Sequence, residues 1–134
     1  MEKIVDYAAL MSLVEHVLMA MGCPSDQAKT GATALVSADL RGIDSHGVAR
    51  LSGYVRLWEA KRVNASPNIA IIHETPSTAV MDGDQGLGLV VAPAAMDVAI
   101  SKATQVGTGW VSVSNSNHFG IAAFHAMRAL ERDM

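Results

Sequence analysis

The chain has 134 residues, of which 50% are hydrophobic and 17% are charged, and it carries a formal net charge of −3. This composition predicts one modest folded domain and excludes a disordered chain, and the acidic balance offers no basic surface for nucleic acid. Cys23 is the single cysteine, so an internal disulfide is excluded. No leader peptide and no membrane-spanning run is recognisable, which together with the cysteine usage predicts a cytoplasmic protein without a membrane partner.

Two amphipathic helices are predicted first. Asp6 is placed to cap the first helix, because a short side-chain oxygen can accept a hydrogen bond from a free backbone N–H there, and Gly22 ends it. Ser25 is placed to cap the second helix in the same way, and Gly42 ends it.

A third helix is predicted to run from His46 to about residue 61, with Asp44 or Ser45 as its cap. His46, Arg50 and Tyr54 follow one another at intervals of four, so they would share one face of that helix. The imidazole, guanidinium and phenol groups together suit a small anionic carbonyl compound. A polar helix face turned to solvent is the structural alternative.

Strand-like patterning replaces helical patterning near Ile69, which predicts an α/β fold: N-terminal helices followed by a partial sheet with flanking helices. The change divides the chain into a helical segment, 1–62, and an incomplete α/β segment, 63–134. In order, the second segment is predicted to contain strands at 69–73 and 78–82, a glycine loop at 82–88, a helix to about 105, a strand at 110–114, a polar turn at 115–120 and a helix from 121 onward.

The glycine loop holds Gly83, Gly86 and Gly88 between a strand and a helix. Their order does not match the dinucleotide fingerprint G-x-G-x-x-G, and no acidic residue stands about twenty positions further on to hold a ribose. These glycines are therefore interpreted as shaping a tight turn.

His118 lies in the polar turn, where a predicted strand ends and a predicted helix begins. Free N–H groups at a helix start favour anions, and an imidazole there can exchange a proton near neutral pH. His16 and His73 are interpreted as surface residues. The chain contains no Gly-x-Ser-x-Gly elbow, no phosphate loop and no His-x-x-x-His or cysteine pair, so no metal site is predicted.

Three stretches, residues 41–51 with Tyr54, residues 82–88 and residues 115–120, resemble the N-terminal part of the malate/L-lactate dehydrogenase family. This group includes ureidoglycolate and sulfolactate dehydrogenases, diketogulonate reductase and cyclic imino-acid reductases, and it differs from the Rossmann-type lactate and malate dehydrogenases. The resemblance implies a non-Rossmann fold, NAD or NADP as cofactor, a small 2-hydroxy or 2-oxo acid as substrate, and a homodimer.

The resemblance also implies roles for particular residues. Ser45 and His46 match a serine–histidine relay, Arg50 matches the residue that grips the substrate carboxylate, and Tyr54 borders it. His118 matches a histidine assigned as acid/base in other members, so the two histidines compete for that role and the choice stays open. The stretch that would contact the nicotinamide cofactor consists of His118, Phe119, Gly120, Ile121 and Ala122.

Members of this family are more than twice as long as this chain, and residues 131–134 continue a helical pattern without a Gly or Pro stop. The expectation is a truncated gene product or fragment that is inactive alone. One alternative is a non-catalytic remnant acting as a dimerisation or regulatory module, which NAD(P)H binding would distinguish. A small metal-dependent hydrolase is a third possibility, and bound zinc would reveal it.

Overall fold

Helices and strands follow one another in the order that the sequence predicts. The structure, a computed structural model, describes residues 4–134. Its elements are α1 (Tyr7–Ala20), α2 (Ser25–Asp39), two 3₁₀ turns (Asp44–His46 and Val48–Arg50), α3 (Leu51–Glu59), β1 (Ala70–Glu74), β2 (Thr78–Gly86), α4 (Gly88–Val106), β3 (Trp110–Ser116) and α5 (Ala122–Leu130).

The first two helices differ in how they begin. The Asp6 carboxylate accepts a hydrogen bond from the Ala9 N–H at 3.0 Å, which confirms the predicted cap of α1. The predicted cap at Ser25 is wrong, because α2 already includes Ser25 and its N-terminal flanking residue is Pro24. The φ of Pro24, −54°, suits a helix start, and its carbonyl accepts the first intrahelical bond from Ala28 at 2.8 Å.

The predicted third helix is interrupted at its start. Asp44–His46 and Val48–Arg50 form separate 3₁₀ turns, and the α-helix begins only at Leu51. Gly47 separates the turns with an extended backbone (φ −88°, ψ −150°), and neither turn is capped by the side chain of the residue that precedes it. The prediction of one continuous helix capped by Asp44 or Ser45 is therefore wrong. His46, Arg50 and Tyr54 do not lie on one α-helix, and their proximity must arise in another way.

The sheet has the order β1–β2–β3. β1 and β2 are antiparallel neighbours, whereas β2 and β3 are parallel and joined through α4, so this half is a hairpin followed by a βαβ unit. Strands β2 and β3 are longer than predicted. β2 continues to Gly86 through a register shift at Asp84 and Gln85, whose φ values are 48° and 56°. The glycine segment is therefore mostly strand, and Leu87 alone links it to α4.

One hydrophobic core joins the helices to the start of α4. Its fully buried side chains include Leu18, Leu35 and Leu89. α4 contacts α2, α5 and two of the strands. By length and composition alone, α4 could also cross a membrane, with a mean hydropathy of 1.2; an apolar core helix of a soluble protein has the same properties.

The spacing of Ile121, Phe124 and Leu130 predicts an apolar face on the last helix, which would be exposed unless a partner covered it. In the structure Ile121 is buried, Phe124 is half-buried against the core and Leu130 is exposed, at 63%. α5 ends at Leu130, and the chain then turns through Asp133 with a φ of 56°. Larger exposure occurs on the sheet, where Ile72 is 62% and Trp110 is 73% exposed.

Candidate active site

The segment between α2 and α3 carries three predicted site residues on a tightly turned backbone. Gly42 lies in the left-handed region with a φ of 69°. The N–H of Ile43 donates to the Ala38 carbonyl at 2.9 Å, which closes the end of α2. A residue without a Cβ adopts this conformation at low cost. The chain therefore leaves α2 sharply, and both 3₁₀ turns pack beside that helix.

Ser45, His46 and Arg50 are connected to one another within this segment. The Ser45 hydroxyl lies 2.9 Å from Nδ1 of His46, so the predicted serine–histidine pair is in contact. Nε of Arg50 donates to the Ser45 carbonyl at 2.6 Å. Within residues 4–134 the two terminal nitrogens of this exposed guanidinium have no hydrogen-bond partner, which leaves them available for a carboxylate.

His118 reaches the same place from the other half of the chain. Its Nδ1 lies 2.7 Å from the Tyr54 hydroxyl and 3.3 Å from the Gly120 backbone nitrogen. Its ring centroid is 5.5 Å from that of His46. The structure thus brings His46, Arg50, Tyr54 and His118 together. His118 precedes α5 by four residues, so its predicted place at a helix start is wrong; β3 delivers it instead.

The contacts of His118 decide which ring nitrogen carries its proton. A backbone N–H can only donate, so the Gly120 N–H requires a lone pair on Nδ1 of His118. The neutral ring then carries its hydrogen on Nε2, and the Tyr54 hydroxyl is the second donor to Nδ1. Tyr54 is only 3% exposed, so its hydroxyl is committed to His118.

Burial favours the uncharged form of both Tyr54 and His118. Burial raises the pKa of Tyr54 to about 12, although the Arg50 charge opposes this shift, so the phenol keeps its proton at neutral pH. The pKa of His118 is lowered by partial burial first, and then by His46 and Arg50. A neutral His118 beside a protonated phenol follows from both shifts.

Phe119 and Ala122, two of the five residues in the predicted cofactor-binding stretch, line an apolar cavity of about 440 Å³. Phe119 is exposed and its ring stacks beside that of His118, with centroids 6.4 Å apart, whereas Gly120 and Ile121 are buried. Ala122 begins α5 and is exposed. Of the five predicted cofactor contacts, Phe119 and Ala122 therefore line the cavity, whereas His118, Gly120 and Ile121 do not. The cavity is lined by Ala92, Val111, Val113, Ser116, Asn117, Phe119, Ala122 and His125.

His125 is a residue that the sequence analysis did not single out. It is only 8% exposed, and its Nε2 lies 2.7 Å from the Phe119 carbonyl, so it holds the segment that borders the cavity. Its other nitrogen, Nδ1, is buried without a partner within residues 4–134. Burial lowers the pKa of His125. In the sequence, the only indication of this role is that His125 falls on the inner side of an amphipathic helix.

The remaining histidines stand apart. His16 and His73 are exposed, and His16 bonds to Ser12 within α1. In the part of the chain that the structure describes, no group of three or more His, Cys, Asp or Glu side chains could hold a metal ion.

Known proteins resemble this chain in sequence over nearly its whole length. The sequence matches the malate/L-lactate dehydrogenase family model over residues 5–134. It is 50% identical over 125 residues to the malate dehydrogenase of Pyrococcus abyssi and 45% identical over 122 residues to the L-sulfolactate dehydrogenase of Methanocaldococcus jannaschii. These alignments cover 93% and 91% of this chain but only 34% and 36% of the relatives, so the chain spans about a third of their length.

Solved structures show the same fold. The sulfolactate dehydrogenase from Methanocaldococcus jannaschii superimposes with a TM-score of 0.96 at 42% identity, covering 98% of this chain and 38% of that one. The malate dehydrogenase from Pyrococcus horikoshii OT3 gives a TM-score of 0.92 at 44% identity, covering 99% and 40%. The predicted fold class and the predicted resemblance are both confirmed. The chain, over essentially its whole length, belongs to the malate/L-lactate dehydrogenase family.

Proposed function

We propose that this chain supplies the substrate-binding and proton-transferring side of an NAD(P)-dependent dehydrogenase that interconverts 2-hydroxy and 2-oxo acids. The observation that carries the proposal is the meeting of His46 and Arg50 with His118, which reaches them from β3 and bonds to Tyr54, 64 positions away. Relatives named malate and sulfolactate dehydrogenases support this substrate class.

Arg50 would bind the substrate carboxylate. Because its Nε is held by the Ser45 carbonyl, the terminal nitrogens are oriented before any ligand arrives. Two parallel N–H bonds from these nitrogens match a carboxylate in distance and plane, which a lysine ammonium cannot do. In this proposal Tyr54 acts through His118 and not by touching the substrate, since its hydroxyl is buried and already bonded.

The hydrogen bonds favour different roles for the two histidines. His118 presents its Nε2–H as a neutral donor, which can polarise the 2-oxo oxygen or hold the 2-hydroxyl. His46 has Nδ1 on the Ser45 hydroxyl, and its Nε2 has no partner within residues 4–134. We therefore assign to Nε2 of His46 the proton that the oxygen gains in reduction and loses in oxidation.

Residues His118–Ala122 fit a nicotinamide ring on one side. The neighbouring cavity of about 440 Å³ is mostly apolar, as a flat heteroaromatic ring requires, and it contains the Asn117 amide. His125 also lines this cavity, and its buried Nδ1 has no hydrogen-bond partner within residues 4–134. When bound, the nicotinamide group supplies or accepts the hydride at the substrate C2. The chain's own residues orient the substrate and move the proton.

A complete site requires further polypeptide. The histidines are open to solvent on one side, since His118 is exposed and His46 is half-buried. Hydride transfer needs a site closed to water. We propose that the additional chain present in the longer relatives, within a homodimer, supplies the opposite wall.

A chimera tests the proposal. The 134 residues would replace the matching part of the Pyrococcus horikoshii malate dehydrogenase, and oxaloacetate reduction would be followed with NADH and with NADPH. We expect turnover that His46→Asn and Arg50→Ala abolish, whereas Arg56→Ala, on the exposed side of α3, keeps it. A folded chimera that binds NADH but reduces no 2-oxo acid would contradict the proposal and favour the non-catalytic alternative.

A further inference from the structure

We propose that Asp39 is a positioning residue of the candidate site: it caps the 3₁₀ turn Val48–Arg50 from the end of α2 and so fixes His46 and Arg50. The inference deepens the proposed function and rests on it for its catalytic meaning. Oδ2 of Asp39 accepts a hydrogen bond from the Val48 N–H at 2.9 Å, across nine positions of sequence. Asp39 is half-buried at this contact.

The turn needs such a partner because it has no cap of its own. Gly47 occupies the N-cap position and has no side chain, so the residue that precedes the turn cannot cap it. A helical turn begins with free N–H groups, which are stabilised when an oxygen accepts them. The Asp39 carboxylate supplies that oxygen from a different helix.

Gly47 is shaped to receive the carboxylate. A Cβ built on Gly47 would overlap the Asp39 carboxyl group and would lie 2.6 Å from Oδ2. Any other residue at position 47 would therefore displace either the carboxylate or the backbone. The backbone of Gly47 is extended rather than left-handed, so close approach explains the glycine here and conformational freedom does not.

Charge gives an independent reason for the same role. Asp39 is the last residue of α2, and a negative charge at a helix C-terminus is unfavourable because it faces the carbonyl end of the helix. The same charge is favourable at the start of the next helical turn. The negative charge of Asp39 is thus unfavourable at the end of α2 but favourable at the start of the turn that ends in Arg50.

The bond from the Val48 N–H to Asp39 affects the site because two site residues lie on either side of Val48. His46 comes immediately before Gly47, and Arg50 is the last residue of the turn that Val48 begins. A shift of the Val48 N–H would move both side chains relative to His118, which is held independently through Tyr54 and Gly120. Asp39 touches neither reacting group in this proposal and acts only through the backbone.

The test uses the 134-residue chain and needs neither substrate nor cofactor. Amide hydrogen exchange and imidazole NMR titration between pH 5 and 8 would be compared for the parent chain and for Asp39→Ala and Asp39→Asn. Asp26→Ala is the matched control, because Asp26 is an exposed carboxylate in the first turn of the same helix.

We expect Asp39→Ala to speed exchange of the Val48 N–H about fivefold or more relative to amides of α4, as loss of a helix cap does. The imidazole chemical shifts of His46 and His118 should change with it. Asp39→Asn should restore most of the protection, since its amide oxygen accepts the same bond. Asp26→Ala should change neither readout. Unchanged Val48 exchange, or equal acceleration at all amides, would overturn the proposal.

A second pair of variants covers the case in which Asp39→Ala fails to fold. Gly47→Ala should perturb the Val48 N–H and the imidazole signals, because its Cβ displaces the carboxylate. Adding Gly47→Ala to Asp39→Ser, whose shorter side chain leaves room for the Cβ, should cost less stability than adding it to the parent chain. Strictly additive effects would count against the proposal. Because no readout involves dehydrogenase activity, these outcomes are separate from those of the chimera.

Discussion

The Tyr54 hydroxyl and Nδ1 of His118 lie 2.7 Å apart although 64 positions separate them in sequence. The phenol comes from α3 and the imidazole from the segment after β3. With the Gly120 N–H as second donor, the contact fixes both the orientation of the ring and the nitrogen that carries its hydrogen. The neutral form of His118 is therefore built into the fold before a ligand binds.

Replacement of Tyr54 by phenylalanine should raise the pKa of His118. The phenol donates to the lone pair of the neutral ring, so its loss removes a bond that favours the neutral form. A hydrogen bond of this kind contributes about 0.5–1.5 kcal/mol to the neutral form, so its loss should produce a measurable rise of the His118 pKa. Imidazole NMR on the 134-residue chain would measure the pKa and the tautomer. Tyr7→Phe, at an exposed phenol, is the control; equal titration curves in both variants would refute the assigned donor.

Replacement of Arg50 by lysine in the chimera should weaken substrate binding much more than cofactor binding. Lysine keeps the charge but loses the two-point contact and the bond to the Ser45 carbonyl. A lost charge-assisted bond of about 1.5–3 kcal/mol predicts a KM for the 2-oxo acid raised about tenfold or more. Arg56→Lys on the same helix should leave KM near its parent value. An unchanged KM in Arg50→Lys would exclude Arg50 from carboxylate binding.

The two histidines should give different pH profiles when each is replaced by asparagine. In the chimera, reduction requires a protonated acid, so kcat should fall as pH rises through the pKa of that acid. His46→Asn should lower kcat by about 10²–10⁴ and remove this limb, as expected for a general acid. His118→Asn should lower activity yet keep the limb. The reverse pattern would transfer the proton-carrying role to His118.

Stability of the 134-residue chain should decrease on mild acidification. Burial holds the pKa of His125 below its ordinary value of 6.5 in the folded state. Between the pKa values of His125 in the folded and unfolded states, the unfolded chain binds more protons than the folded one. The contribution of His125 to the free energy of unfolding is therefore intact above pH 6.5 and is lost as pH falls towards the folded-state pKa. Urea unfolding between pH 7.5 and 5 should show this decline. His125→Gln should flatten it, and His73→Gln, at an exposed strand position, should not.

The isolated chain should self-associate and show little or no dehydrogenase activity. Trp110 and Ile72 expose 73% and 62% of their surface on edge strands, where apolar side chains and unpaired backbone groups invite another polypeptide. Sedimentation over a dilution series, combined with NADH oxidation assays over several 2-oxo acids, would measure both properties. Trp110→Lys should shift the equilibrium towards monomer. If the chain is monomeric at all concentrations and still turns over substrate, the part of the site that it supplies is sufficient for activity.

Local patterns in the sequence determined the element types and the site candidates. Apolar spacing indicated the helices, alternation indicated the strands, and the chemistry of Ser45, His46, Arg50 and His118 indicated a carboxylate-binding, proton-exchanging site. These features depend on residues within a few positions of one another. The same locality explains the correct cap at Asp6, whose oxygen bonds only three residues away.

Only the tertiary structure decided how the candidates meet. The spacing of His46, Arg50 and Tyr54 suggested one helix face, yet Gly47 interrupts the helix and the carboxylate of Asp39 occupies the space where a side chain at position 47 would lie. The resemblance implies that Tyr54 borders the substrate, and the structure adds that β3 brings His118 onto its hydroxyl. Such contacts join residues far apart in the chain, and their partners are set by how helices and sheet pack around one core, which no local pattern encodes.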